Sequence, residues 1–117
     1  MTKIPAAPPG TGPAGRRLWR VVLAAYTLSV LEDVLLRQAV RTADNVDELD
    51  AVLDAEGLMV PGRDGVTRMH PALAEVRQQR LTYARLLSAL RLPVEDSPSV
   101  RLQRRGIRGV YSTGVVS

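Results

Sequence analysis

The chain has 117 residues, which is enough for one domain, and it contains no cysteine, which excludes disulfides and thiolate metal sites. Its formal charge is +4 with a sequence pI of about 10.3, and Lys3 is the only lysine among sixteen cations. An arginine-rich basic chain is typical of a nucleic-acid binder, because guanidinium forks match phosphate oxygens. A basic protein without a nucleic-acid partner stays an alternative. With no signal-peptide pattern and no apolar run of membrane-spanning length, we expect a soluble intracellular protein.

Composition divides the chain into three segments. Residues 1–12 are rich in proline and glycine and are predicted to form a flexible arm, because they can bury little apolar surface. Residues 13–93 are predicted to be an ordered helical core. Residues 94–117 are predicted to be a flexible basic tail.

A short first helix is predicted to begin at Pro13, since proline is preset for the first helical position, with Gly12 or Thr11 as its cap. Three arginines near the start of this helix lie off its apolar stripe. The stripe consists of Leu18, Trp19, Val22, Leu23 and Tyr26, and the arginines are Arg16, Arg17 and Arg20.

A long second helix is predicted from about Val30 to Glu56, with Ser29 as a candidate cap and Gly57 as its end. Residues 43–57 hold six carboxylates and no cation, and we expect these acids to form a solvated outer face. The inner face has a coiled-coil-like spacing. It consists of Leu35, Ala39, Thr42, Val46, Leu49 and Leu53.

A β-hairpin is predicted where residues 58–60 and 66–69 flank the turn Pro61-Gly62-Arg63-Asp64-Gly65, because Asp-Gly between apolar runs favours a tight turn. A lone two-stranded hairpin is marginal in water, so it should lean on the helices or on another subunit.

The last helix is predicted to run from Pro71 to just before Pro93 and to fold back antiparallel to the second helix. Arg80 interrupts its apolar stripe. We expect the Arg80 head to pair with a carboxylate or reach water, with a contact to another subunit or to DNA as the alternative. The stripe consists of Leu73, Val76, Arg80, Tyr83, Leu87 and Leu90.

Patterns that would indicate an enzyme or a cofactor lack their context. Residues 10–15, GTGPAG, match a dinucleotide-binding fingerprint, but no strand precedes them, so the glycines are interpreted as a flexible lead into the first helix. His70, the only histidine, has no second histidine or cysteine to share a metal and is assigned a capping or loop role. We therefore predict no cofactor, no metal and no catalytic residue.

Basic residues form two candidate DNA-binding groups, with a solvated-charge interpretation as the alternative for each. A third, weaker group consists of Arg77, Arg85 and Arg91. The first group lies on the first two helices and the second on the tail: Arg16, Arg17, Arg20, Arg37 and Arg41, then Arg101, Arg104, Arg105 and Arg108.

Three pieces of the chain, in order, resemble small terminase subunits of tailed bacteriophages. HPALAEVRQQR at residues 70–80, followed by ARLLSALRLP, is similar to the family's C-terminal helix. GTGPAGRRLW at residues 10–19 and RTADNVDELDAVL at residues 41–53 resemble earlier pieces. The resemblance covers roughly residues 10–93, with a weaker similarity at residues 103–106.

The resemblance implies a mainly α, ring-forming oligomer whose core binds viral double-stranded DNA at the packaging site in the host bacterial cytoplasm. Such a subunit is not an enzyme; it recruits and regulates the large ATPase-nuclease subunit. Val110 and Tyr111 are the candidate large-subunit contact. The residues predicted to mediate oligomerisation are Leu35, Val46, Leu49, Leu53, Arg80, Tyr83 and Leu87.

Two other functions stay open. One is a DNA-binding transcriptional regulator that acts as a dimer on an operator. The other is a structural phage adaptor without affinity for DNA. Because the second helix is much longer than a recognition helix, the first two helices do not form a typical helix-turn-helix, and the face that would meet DNA is left open.

Overall fold

The computed structural model describes residues 3–91, and these residues are mainly helical with one small antiparallel sheet. This architecture confirms the predicted short helix, long helical hairpin and inserted β-hairpin. Residues 94–117, predicted to be a flexible tail, lie outside the described residues. The elements are α1 (Pro13–Ala25), α2 (Val30–Glu56), β1 (Met59–Pro61), β2 (Thr67–Met69) and α3 (Pro71–Leu90).

Helix α2 begins and ends at the residues that the sequence predicts. The Ser29 hydroxyl accepts from the Glu32 N–H at 3.2 Å, and the Glu32 carboxylate accepts from the Ser29 N–H at 2.9 Å, which completes a capping box. Gly57 ends the helix with φ at +84°, and its N–H donates to the Leu53 carbonyl at 2.7 Å. Glycine adopts this backbone conformation without strain.

Helices α2 and α3 form the long antiparallel hairpin. His70, just before α3, contacts Glu56 at the end of α2, whereas Leu90 at the end of α3 packs in one cluster with Leu36 near the start of α2. The two helices are therefore antiparallel, and Arg80 contacts Asp50 between these ends. The predicted apolar seam lies between the two helices, and Ala39, Leu53 and Val76 are buried there, with Leu90 buried at the end of α3. The other apolar seam positions are half-buried.

Helix α1 completes the core at one end of the hairpin. Trp19 and Val22 pack in one buried cluster with Leu36, Val40 and Leu90. Residues 3–12, which we expected to form a flexible arm, contact this cluster through Ile4 and Ala7. The Trp19 Nε1–H donates to the Pro5 carbonyl at 2.8 Å, because a buried indole N–H needs an acceptor. The described part of the arm is therefore packed.

Glycines at the start of α1 allow two helices to approach closely. A Cβ on Gly15 would lie 2.7 Å from the Val40 carbonyl oxygen, so only glycine fits there without a shift. The Asp44 carboxylate accepts from the Gly12 N–H and from the Gly15 N–H, both at 2.7 Å. Asp44 thus caps α1, whose own N-cap residue has no capping side chain. The interpretation of these glycines as a flexible lead is wrong.

The β-hairpin extends from the far end of the long hairpin. Met59 pairs with Met69 and Pro61 with Thr67 in antiparallel register. All strand residues except Val60 are exposed. The Asp64 carboxylate accepts from the Val66 N–H at 3.0 Å, and this bond holds the pKa of Asp64 below its ordinary value. The exposure of the strand residues shows that the helices of the same chain cover little of the hairpin.

Candidate nucleic-acid interface

Arg16 and Arg20 lie on one flank of α1, one helical turn apart. The opposite flank of α1 faces α3, because Leu18 and Val21 line a cleft together with Tyr83 of α3. Both arginines are exposed. They therefore point away from the long hairpin's seam.

Arg37 of α2 contacts α1 through Trp19. Its guanidinium carbon is 5.3 Å from the centroid of the Trp19 ring, and its Nε donates to the Asp33 carboxylate at 2.8 Å. A guanidinium over an aromatic face is held by attraction to the ring quadrupole, which fixes Arg37 at the α1–α2 junction. Arg41 is exposed one turn further along α2.

Two arginines of this surface carry charge that no acid in the described chain neutralises. Within residues 3–91, neither Arg20 nor Arg41 has an ion-pair partner. Arg16 donates to the carbonyl of Thr11, which leaves its charge intact. We define Arg16, Arg20, Arg37 and Arg41 as the basic face. Its exposed guanidinium groups can donate hydrogen bonds to phosphate oxygens.

Arg17 does not join the basic face. It lines the cleft on the other flank of α1, which it shares with Asp47 and Asp50. The sequence analysis grouped Arg17 with the other four arginines because the sequence does not show which flank of α1 faces another helix. The second predicted group, Arg101, Arg104, Arg105 and Arg108, lies outside the described residues, as do Val110 and Tyr111.

The predicted oligomerisation residues contribute to the fold of a single chain. Leu53 is buried, while Leu35 and Leu87 pack against the core cluster. Leu49 is half-buried. Arg80 pairs with Asp50 through one nitrogen at 2.7 and 2.8 Å, which confirms the predicted carboxylate partner. Their roles between subunits stay a prediction.

Val46 and Tyr83, also predicted oligomerisation residues, line the open cleft, whose volume is about 340 Å³. Burial raises the pKa of the Tyr83 phenol above its ordinary value, because the charged form loses hydration there. Of the seven predicted oligomerisation residues, these two reach a concave surface that a second chain could enter.

The sequence analysis did not identify two surfaces made of exposed apolar residues. Val30 and Leu31 at the start of α2 are 81% and 77% exposed, and Val34 shares their surface. At the other end, the hairpin exposes Leu58, Met59, Val66 and Met69. The sequence could have indicated the first of these groups, because apolar residues lie on every side of the start of α2, and a helix that packs through one face cannot bury all of them.

The acidic stretch of α2 is not a uniform solvated face. Asp44 caps α1, Asp50 pairs with Arg80, and Glu56 lies 2.7 Å from the His70 ring nitrogen. The expectation of a solvated outer face is wrong for Asp44, whereas the side chains of Asp50 and Glu56 stay 38% and 58% exposed while they make these contacts. Each of these three carboxylates makes a tertiary contact because it lies next to an N–H group or a cation. Asp47, Glu48 and Asp54 have no ion pair within residues 3–91.

His70 caps α3, as its place before Pro71 predicts. Its Nδ1 accepts from the Ala72 N–H at 3.0 Å, so the ring proton sits on Nε2 and is directed at Glu56. The residues that the structure describes contain no group of three or more potential metal ligands. The ring therefore acts as a helix cap in this chain.

Replacing His70 with alanine is expected to lower the free energy of unfolding by about 1 kcal/mol, because the α3 cap is lost. His70→Asn is the matched control, since asparagine is a good N-cap residue. Urea denaturation followed by circular dichroism measures both variants. Equal losses for the two variants would contradict a capping role.

None of the helices in the described part of the chain is both long and apolar enough to cross a membrane. Comparison with known protein families, with characterised proteins and with solved structures finds no match for this chain.

Proposed function

We propose that this protein is a small terminase subunit that binds viral double-stranded DNA at a packaging site and recruits and regulates the large ATPase-nuclease subunit. The observation that carries the proposal is the basic face, where Arg20 and Arg41 have no ion-pair partner within residues 3–91. The resemblance of three ordered segments to that family supports the same function.

The basic face suits contacts with the phosphate backbone. Arg37 is positioned by Trp19 and Asp33, so part of the entropy of ordering its side chain is already lost before DNA binds. Guanidinium contacts to phosphates give affinity without sequence information, so a preference for the packaging site needs contacts to base edges or DNA shape. In a homo-oligomeric ring, repeated copies of the basic face add affinity through avidity.

The first test replaces two arginines of the basic face. Arg20→Gln with Arg41→Gln is expected to weaken binding to a labelled DNA duplex and to lower the slope of log affinity against log salt. The expected decrease is about 0.9 for each lost phosphate contact. Fluorescence anisotropy across a salt series measures both quantities.

Arg77→Gln with Arg85→Gln is the comparison variant, since it removes the same charge from exposed positions of α3, where the third and weaker candidate group lies. We expect this control to change affinity little and to keep the salt slope. Equal effects of the two double variants would reject the basic face and leave only a net-charge effect. No binding by the unaltered protein at low salt would favour the structural adaptor.

The packaging role needs a second readout. Fragments of the genome that encodes the protein are incubated with it, and the bound fragments are sequenced. Enrichment of one region, together with a change in ATPase rate of the large subunit encoded beside it, is expected for a terminase subunit. A dimeric mass with tight binding to a palindromic operator would favour the transcriptional regulator.

A further inference from the structure

The outer edge of strand β2 carries backbone groups without a partner. The His70 N–H donates to the Leu58 carbonyl at 2.7 Å, so these two residues form a hydrogen-bonded pair at the base of the hairpin. Such pairs alternate along an antiparallel ladder, and therefore Thr67 and Met69 direct their N–H and C=O groups away from β1. Within residues 3–91, no hydrogen bond reaches these outward groups.

The outer edge of β1 differs from that of β2. Its outward-facing residues are Met59 and Pro61, and proline has no N–H to donate. Proline on an edge strand is one of the ways in which proteins prevent another strand from pairing there. Strand β2 contains neither proline nor glycine. The hairpin can therefore accept a further strand on its β2 side.

Arg68, the charged residue of β2, is turned away from this edge. A Cβ on Gly62 would lie 2.8 Å from the Arg68 Nε, so the Arg68 side chain crosses the hairpin through the space that the glycine leaves. Its Nη2 donates to the Asp64 carboxylate in the turn at 2.8 Å. A charge on an edge strand normally discourages pairing with another chain, but here an acid of the same hairpin holds the cation on the far side.

Apolar side chains are exposed on both faces of the hairpin. Met69 is 54% exposed on one face and Val66 is 55% exposed on the other, because successive side chains of a strand point to opposite faces. A partner that packs on one face would cover only one of them. A strand added at the β2 edge places side chains beside both faces. It also relieves the marginal stability of a two-stranded hairpin, because further strands stabilise a sheet.

We infer that two copies of the chain pair through the outer edges of their β2 strands, antiparallel to each other, and form a four-stranded sheet. Thr67 of each copy then lies opposite Met69 of the other, so all of their outward N–H and C=O groups find partners. A second copy suits this edge because an antiparallel edge is complementary to itself about a two-fold axis. The two Arg68 residues flank the axis, and Asp64 reduces their repulsion by neutralising each of them.

The antiparallel pairing directs the two long helical hairpins away from each other, so the β2 edges can meet without a collision between helices. The contact closes at two copies, and a larger ring would use a further contact as well. The inference goes beyond DNA binding by naming a contact between copies. It does not use the basic face.

Single-cysteine variants report the register directly, since the chain has no cysteine of its own. The two copies of residue 68 form a non-hydrogen-bonded pair across the axis, with Cα atoms about 4.5 Å apart, which is close enough for a disulfide. Arg68→Cys is expected to give a covalent dimer on a non-reducing gel after mild oxidation. Arg63→Cys, exposed in the hairpin turn, is the control and is expected to give little covalent dimer.

A proline substitution tests the backbone bonds themselves. Thr67→Pro removes one outward N–H of β2 and keeps the hydrogen bonds within the hairpin. It is expected to be monomeric by analytical ultracentrifugation, across a concentration series in which the unaltered protein becomes dimeric. Met59→Pro is the matched control, because it removes an outward N–H from β1 instead, and it is expected to dimerise normally. Amide hydrogen exchange is expected to slow at Met69 on dimerisation, while protection at Val60 verifies that each variant forms the hairpin.

Three results would overturn the inference: an unaltered protein that is monomeric at every concentration, equal cross-linking of the two cysteine variants, or a dimer that survives Thr67→Pro. Equal loss of the dimer in Thr67→Pro and Met59→Pro would also count against it, because pairing would then not depend on the β2 edge. Arginine substitutions in the basic face are expected to leave the cross-link of Arg68→Cys unchanged. A failure of DNA binding can therefore be distinguished from a failure of pairing.

Discussion

The Trp19→Ala variant is expected to lose about 4 kcal/mol of its free energy of unfolding, within the range for removing a large buried aromatic ring. Trp19 is 2% exposed and lies at the centre of the cluster that joins α1 to the long hairpin. Its loss leaves a cavity, removes the indole donor to the Pro5 carbonyl and frees Arg37 from the ring. A domain of this size has only about 5–15 kcal/mol to lose.

Trp19→Phe separates the ring from the hydrogen bond, since phenylalanine keeps an aromatic ring and removes the donor. Its loss is expected to be about half that of Trp19→Ala or less. Trp19 is the only tryptophan, so denaturation is followed by circular dichroism rather than by fluorescence. A loss below about 1 kcal/mol for Trp19→Ala would show that α1 is not held through this cluster.

Asp44→Ala is expected to cost about 2 kcal/mol, because one carboxylate accepts two short hydrogen bonds from backbone N–H groups at the start of α1. The carboxylate also lies at the positive end of the helix dipole. Without it, Gly12 and Gly15 keep donors that no side chain of their own can satisfy. Urea denaturation of the purified variant measures the loss.

Asp47→Ala is the matched control, since it removes the same charge one turn further along α2 from an exposed side chain. It is expected to change stability by less than about 0.5 kcal/mol. Asp44→Asn is expected to fall between the two, because an amide retains one acceptor oxygen. If Asp44→Ala and Asp47→Ala had equal effects, only the net charge of α2 would matter.

The Trp19→Ala and Asp44→Ala variants are also expected to affect the basic face. Arg16 and Arg20 reach their positions because α1 docks on α2, and Arg37 is held there by Trp19. If α1 detaches, the two arginines of α1 no longer share a surface with those of α2. Variants that loosen α1 are therefore expected to reduce the salt dependence of DNA binding even though they remove no arginine.

The sequence by itself determined the elements of the fold and their limits. Pro13, the Ser29 cap and Gly57 act on residues within a few positions of themselves, so they can be recognised without knowledge of tertiary contacts. The same holds for His70 and for the Asp-Gly hairpin turn. Apolar spacing also predicted which faces of α2 and α3 meet, because a helix must bury its apolar stripe.

Only the tertiary structure decided how distant residues are used. Asp44 looks like any other acid of its stretch until α1 places two N–H groups within 2.7 Å of it. Gly15 looks like part of a flexible lead until the Val40 carbonyl lies against it. Arg17 lies in a cleft, apart from the other arginines of α1, and Val46 and Tyr83 line the same cleft. The position of α1 decides this, because it determines which residues surround each flank of the helix. Bonds between residues close in sequence can be predicted from the local sequence, whereas the roles of Asp44, Gly15 and Arg17 depend on how the helices pack.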